Sequence, residues 1–109
     1  MQKYRIIVHG QNLLTEVEGV RQRLGFYTNV FVEAFTRPDA ESRAIELVRE
    51  DAHLKDILLN AEADPISLSV DEIYEIESFD GARLPRMGFT LYPEEKDPEN
   101  FSRSGGEII

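Results

Sequence analysis

The sequence predicts an α+β domain: a four-stranded mixed sheet in the order β-β-α-β-β, with one long or broken helix on a single face. Two observations carry this. Four stretches show the two-residue alternation of apolar side chains that a half-buried strand requires, and one stretch between the second and third repeats its apolar residues at helical spacing. The chain has 109 residues, the size of one domain, and its 41% hydrophobic and 30% charged composition favours a packed core over disorder. We place the domain at residues 1–93 and expect a mobile acidic tail over 94–109.

The first strand is read from Tyr4, Ile6 and Val8, which alternate with Arg5, Ile7 and His9 before Gly10. Residues 11–25 mix Leu13, Leu14, Val17, Val20 and Leu24 with charges and two glycines, so a long connection is expected there, with room for a short helix or an irregular strand. The strongest strand signal is Phe26 to Phe35, rich in aromatic and β-branched residues. It sends Phe26, Thr28, Val30, Val32 and Ala34 to one face and Tyr27, Asn29, Phe31, Glu33 and Phe35 to the other.

Thr36, Pro38 and Asp39 make a helix start. Ala40, Ala44, Leu47 and Val48 then fall at i, i+4, i+7 and i+8, with Ile45 widening the stripe. A second helical piece, through Leu54, Ile57 and Leu58, begins at Asp51, either continuous with the first or bent there. Asp64-Pro65 ends it. Ile66, Leu68 and Val70 begin the third strand, and the same parity runs on through Tyr74 and Ile76, with Glu72 marking either a frayed edge or a bulge. After a loop over 78–86, Met87, Phe89 and Leu91 form the fourth strand, paired as a hairpin with the third. The helical crossover between the second and third strands is long enough for a right-handed parallel connection.

Charge and motif content narrow the function. A net charge of −9 is the wrong sign for nucleic acid or an anionic membrane, and the absence of cysteine removes disulfides, thiolate metal sites and thiol nucleophiles. No metalloprotease, hydrolase or phosphate-loop motif is present. No catalytic residue, metal ligand or cofactor is expected. His9 and His53 stand without a sequence-adjacent carboxylate pattern, and Glu75 and Glu77, on one strand face, read better as solvated charges than as paired acids.

The informative feature is geometric. If the helix covers Ile6, Val8, Val30, Val32, Leu68, Val70, Phe89 and Leu91, the opposite face displays Ile7, His9, Tyr27, Phe31, Phe35, Ile73 and Tyr92, rimmed by Arg5, Glu33, Glu75 and Glu77. One helix cannot cover both faces. Such a patch is what a subunit or partner interface looks like from one chain, unless residues 11–24 fold back over it.

Arg23-Leu24-Gly25-Phe26-Tyr27, Phe31-Val32-Glu33-Ala34, the paired Ala40 and Ala44, and Asp51 to Leu54 together resemble a segment of a group of small, uncharacterised bacterial proteins. The resemblance implies the strand-then-helix layout and brings no known activity. A weaker similarity of layout is to HicB-type antitoxins, whose Pro-rich segment before the helix is absent here. The expectation is a cytoplasmic, non-enzymatic interaction module whose partner is a second copy or another protein. The alternatives are an antitoxin or immunity-type inhibitor of a basic partner, and a small ligand binder or enzyme that uses the open sheet face around His9, Tyr27, Glu75 and Tyr92.

Overall fold

The computed structural model describes residues 1–81 and 86–94. The expected tail over 94–109 lies outside them, apart from Glu94. The elements are β1 (Gln2–Val17), β2 (Val20–Ala34), α1 (Arg37–Arg49), α2 (Ala52–Ile57), β3 (Ser67–Ile76) and β4 (Arg86–Pro93). The fold is α+β, with four strands in the order β3-β1-β2-β4 and the broken helix on one face.

Residues 11–24 are not a connection. β1 runs on to Val17, turns at Glu18 and Gly19, and returns as β2 from Val20. Glu18 (φ 51°) and Gly19 (φ 82°) are both left-handed, the geometry of the two-residue turn whose twist matches a hairpin. The alternation is hidden because a bulge interrupts it: Gly10 faces Phe26 and Leu13 faces Leu24, so Gln11 and Asn12 together oppose Gly25 alone. Asn12 takes φ 64° there, a region that asparagine tolerates better than most residues.

The sheet is antiparallel throughout rather than mixed. β2 and β3 do run parallel to each other, as the crossover predicts, but β1 lies between them. β3 and β4 are not a hairpin; they occupy opposite edges of the sheet. The reason is that the long β1–β2 hairpin fills the centre and leaves only its two outer edges for pairing.

Capping fixes the helices. The Thr36 hydroxyl accepts the Asp39 N–H at 3.2 Å and Pro38 occupies the first turn. The chain then breaks at Glu50–Asp51, and the Asp51 carboxylate accepts the Leu54 N–H at 2.9 Å to start α2. Ala40 and Ala44 are small enough to bring α1 close to the sheet; with Val48 they are fully buried over Tyr4, Ile6, Val8, Val30 and Val32. Leu54 of α2 joins Leu13 and Phe26 in the same core. The hydroxyl of buried Thr15 donates to the Ile57 carbonyl at 2.8 Å, satisfying the end of α2 from the sheet.

Past Gln11, where β3 stops pairing, the outer edge of β1 meets the linker. Leu59 N–H donates to the Leu14 carbonyl at 2.8 Å. Asn60 acts as a substitute peptide group: its Oδ1 accepts the Leu14 N–H at 2.9 Å, while Nδ2 donates to the carbonyls of Asn12 (2.7 Å) and Asp64 (2.9 Å).

Two stability measurements follow. By denaturant unfolding, Leu54→Ala is expected to cost about 2–5 kcal/mol, and half-buried Leu47→Ala clearly less; equal costs would mean that the helix stripe is wrongly placed. Asn60→Ala is expected to cost about 1–3 kcal/mol by stranding partly buried groups of β1, and a neutral result would show that water replaces the amide.

Candidate functional site

The face of the sheet away from the helices is set by the pairing of β1, β2 and β4. His9 sits opposite Tyr27, and Tyr92 opposite Gly25. Pleating therefore directs the three rings to one side, where they form a cluster. The His9 and Tyr27 rings stack with centroids 4.4 Å apart and 8° between planes. His9 Nε2 and Tyr92 Oη are 2.5 Å apart in a hydrogen bond, and the Tyr27 and Tyr92 centroids are 5.8 Å apart.

Tyr92 can lie over the sheet because Gly25 has no side chain; a Cβ there would stand 2.1 Å from the ring. Gly10 and Phe26 repeat the device on the helix face, where a Cβ on Gly10 would meet the ring at 2.2 Å. Burial pushes the Tyr92 phenol above its ordinary value of 10.0, with Tyr27 and the Glu94 carboxylate adding to the effect.

Toward the Lys3–Glu33 end the face is polar at its rim and closed at one point. The Arg5 guanidinium lies 4.6 Å from the Tyr74 ring and donates to Asn29 Oδ1 at 3.1 Å. Lys3 pairs with Glu33 at 3.6 Å and stands 5.8 Å from the Phe79 ring. Phe79, past the end of β3, meets Phe31 edge-on with centroids 6.3 Å apart, and Phe31 is 8% exposed in the single chain.

Of the predicted face, Ile7, His9, Tyr27, Phe31 and Tyr92 share this side. Ile73 does not. Asp71 is an extra residue in β3, between the Val70–Val8 and Glu72–Ile7 pairs, so Ile73 comes opposite Ile6 on the helix face, against the core. Tyr74 and Ile76 move the other way, onto the open face. Phe35 lies past the end of β2 and is 75% exposed. Glu75 pairs with Tyr4 on the helix side and Glu77 lies past β3, so neither a paired-acid site nor the constellation of Glu75 with His9 forms. Nor do residues 11–24 cover the open face.

At the other end is a network that the sequence reading did not single out. Asn12 N–H donates to Glu94 Oε2 (2.8 Å), Asn12 Nδ2 to Asp64 Oδ1 (2.9 Å), and Arg23 to Asn12 Oδ1 (2.7 Å). Arg23 also pairs with Asp64 at 3.0 Å. Its only signal in the chain is the polar pair Gln11-Asn12 interrupting an apolar alternation. Among the described residues no cluster of His, Asp or Glu is arranged to hold a metal ion, and no helix is long and apolar enough to cross a membrane.

Comparisons with protein-family models, curated proteins and solved structures give no match.

The raised Tyr92 value fixes a sign. The folded chain holds this phenol proton more tightly than the unfolded chain, so stability is unaffected below about pH 10 and falls as the pH rises above it. The difference in phenolate absorbance between wild type and Tyr92→Phe is expected to titrate with a midpoint above 10.0; a midpoint at or below that value would contradict the described burial.

Proposed function

We propose that the chain is a non-enzymatic protein-interaction module that self-associates through the open face of its sheet, with His9, Tyr27 and Tyr92 at the centre of the contact and Ile7 beside them. One observation carries this reading. Both helices lie on one face, while the other presents a pre-stacked aromatic cluster whose Tyr27 is still 38% exposed. Stacked rings lose little freedom on binding and bury much area, which is why tyrosine is enriched in contact surfaces, and the polar rim of Arg5, Lys3 and Glu33 suits the periphery of one. A second copy offers the same rings and the same mixed rim, and a two-fold contact sets residue i of one copy against residue j of the other, so basic and acidic rim groups can face each other. The acidic, cysteine-free composition supports a cytoplasmic setting for it.

Phe31 is the wrong residue to test, since Phe79 covers it within one chain. Tyr27 is the right one. Tyr27→Glu leaves a solvated charge in the free chain and a desolvated one in the contact. At tens of micromolar, light scattering is expected to show a self-associated wild type and half that mass for Tyr27→Glu, with unchanged circular dichroism. A monomeric wild type, or an unchanged mass in the variant, would sink the reading.

A further inference from the structure

The direction in which each residue of β3 turns its backbone groups follows from the strands inside it. Glu94 N–H donates to the Arg23 carbonyl at 3.1 Å, so Arg23 bonds toward β4. Successive residues of an antiparallel strand bond to alternate sides, so Leu24 and Phe26 bond to β1. Leu14, opposite Arg23, agrees: its N–H and its carbonyl both bond away from β2, to Asn60 and Leu59. Phe26 pairs with Gly10, so Gly10 bonds to β2 and the preceding residue, His9, to β3. His9 faces Ser69 and Gln11 faces Ser67. Ser67 and Ser69 are therefore the inward-bonded residues of β3, and Leu68 and Val70 turn their N–H and C=O groups out from the sheet.

Among the described residues β1 is the only strand beside β3. The chain on either side of β3, residues 58–66 and 77–81, is described and forms no strand. The bulge at Asp71 ends the regular ladder, which confines any further pairing to residues 67–70. Next to this edge lies a groove of about 660 Å³, lined by Leu68 and Val70 on one side and by Glu41, Ile45, Glu46 and Arg49 of α1 on the other. Leu68, Val70 and Ile45 are only half-buried. Among the described residues neither Glu41 nor Glu46 takes part in an ion pair.

We infer that the outer edge of β3 binds an extended segment of a partner protein that carries Lys or Arg at alternate positions, the segment adding to the sheet as a further strand antiparallel to β3. Its residues opposite Leu68 and Val70 exchange N–H and C=O groups with them, and pleating sends their side chains to the helix side, into the groove. The aliphatic stems cover Ile45, Leu68 and Val70, and the charged heads reach Glu41 and Glu46. Charge selects this occupant. The groove sets two carboxylates against one guanidinium, and Asp71 and Glu72, both exposed, follow on the same strand. A second copy would bring a like groove and a net charge of −9 to the contact, and residues 95–109 of the chain itself carry four acids against two bases. The site lies on the helix side of the sheet, so it does not rest on the face contact proposed above.

The probe is a short blocked peptide of alternating Lys and Val, and amide hydrogen exchange on the full chain reads its effect. In the free chain the Ser67 and Ser69 amides are expected to be protected and those of Leu68 and Val70 not. With the peptide bound, Leu68 and Val70 are expected to slow at least about tenfold. A peptide of alternating Lys and Pro has the same charge but lacks every second N–H, and it is expected to leave both amides unchanged. Glu46→Lys is expected to weaken binding of the Lys-Val peptide at least about tenfold, against a much smaller loss for Glu16→Lys, which makes the same change in net charge at an exposed site far from the groove. Tyr27→Glu is expected to bind the peptide as the wild type does, which separates this site from the face contact. Equal binding of the Lys-Pro peptide, or equal losses in the two lysine variants, would reduce the contact to general charge attraction and overturn the inference. So would Leu68 and Val70 amides already protected without peptide, which would assign the edge to the chain itself or to a second copy.

Discussion

Everything in this chain hangs on the β1–β2 hairpin, whose strands of 16 and 15 residues occupy the two central places of the sheet. A central ribbon of that length imposes its pleat on its neighbours. Because side chains alternate between faces, the pairing of Tyr4 with Val32 and Ile6 with Val30 decides at once which side the helices must cover. The same pairing sends His9 and Tyr27 to the other side together. The helix layer and the aromatic cluster are thus two consequences of one register, and a slip by one residue would exchange them. The edge strands have no such freedom: β3 can pair only along the open side of β1, and β4 only along that of β2.

The pleat is kept in step by local irregularities, and these decided what could be read from the sequence. Where the alternation is uninterrupted, as from Tyr4 to Gly10 and from Phe26 to Ala34, residues fall on the expected faces. Caps written in the chain were equally legible: Thr36 with Pro38, and Asp51 before Leu54, both start helices where their chemistry requires. At the bulges the reading failed in a specific way. Val70 and Ile73 are three apart and share a face, as Gly10 and Leu13 do, because an extra residue in each strand turns an odd spacing into an even one. Counting by twos through Asp71 therefore placed Ile73 with the aromatic cluster and Tyr74 with the core. The polarity of Glu72 marked the place of the irregularity but not its form.

The remaining misses involve residues distant in sequence. Nothing near Phe79 announces that it will meet Phe31, since the two come together only in the folded sheet. Asn60 looks like an ordinary linker residue, yet its amide completes the ladder that β3 leaves unfinished. The same is true of Arg23 and Asp64, brought together by the kink at Asn12. Such contacts follow from topology. A reading that took residues 11–24 as a connection had no means of deriving them.

The bulge at Gln11–Asn12 has a consequence for how chain length can vary in this fold. With Gln11 absent, Gly10, Asn12 and Leu13 would oppose Phe26, Gly25 and Leu24 one to one, and Gly10 and Leu13 would still face the helices. Losing a residue within the regular part of β1 would instead turn every later side chain of the strand to the wrong face. The two residues that interrupt the ribbon are therefore a place where a one-residue gap is silent for the pleat. An alignment of divergent copies can absorb a length difference there, at the expense of the Asn12 contacts but without reversing the inside and outside of the sheet.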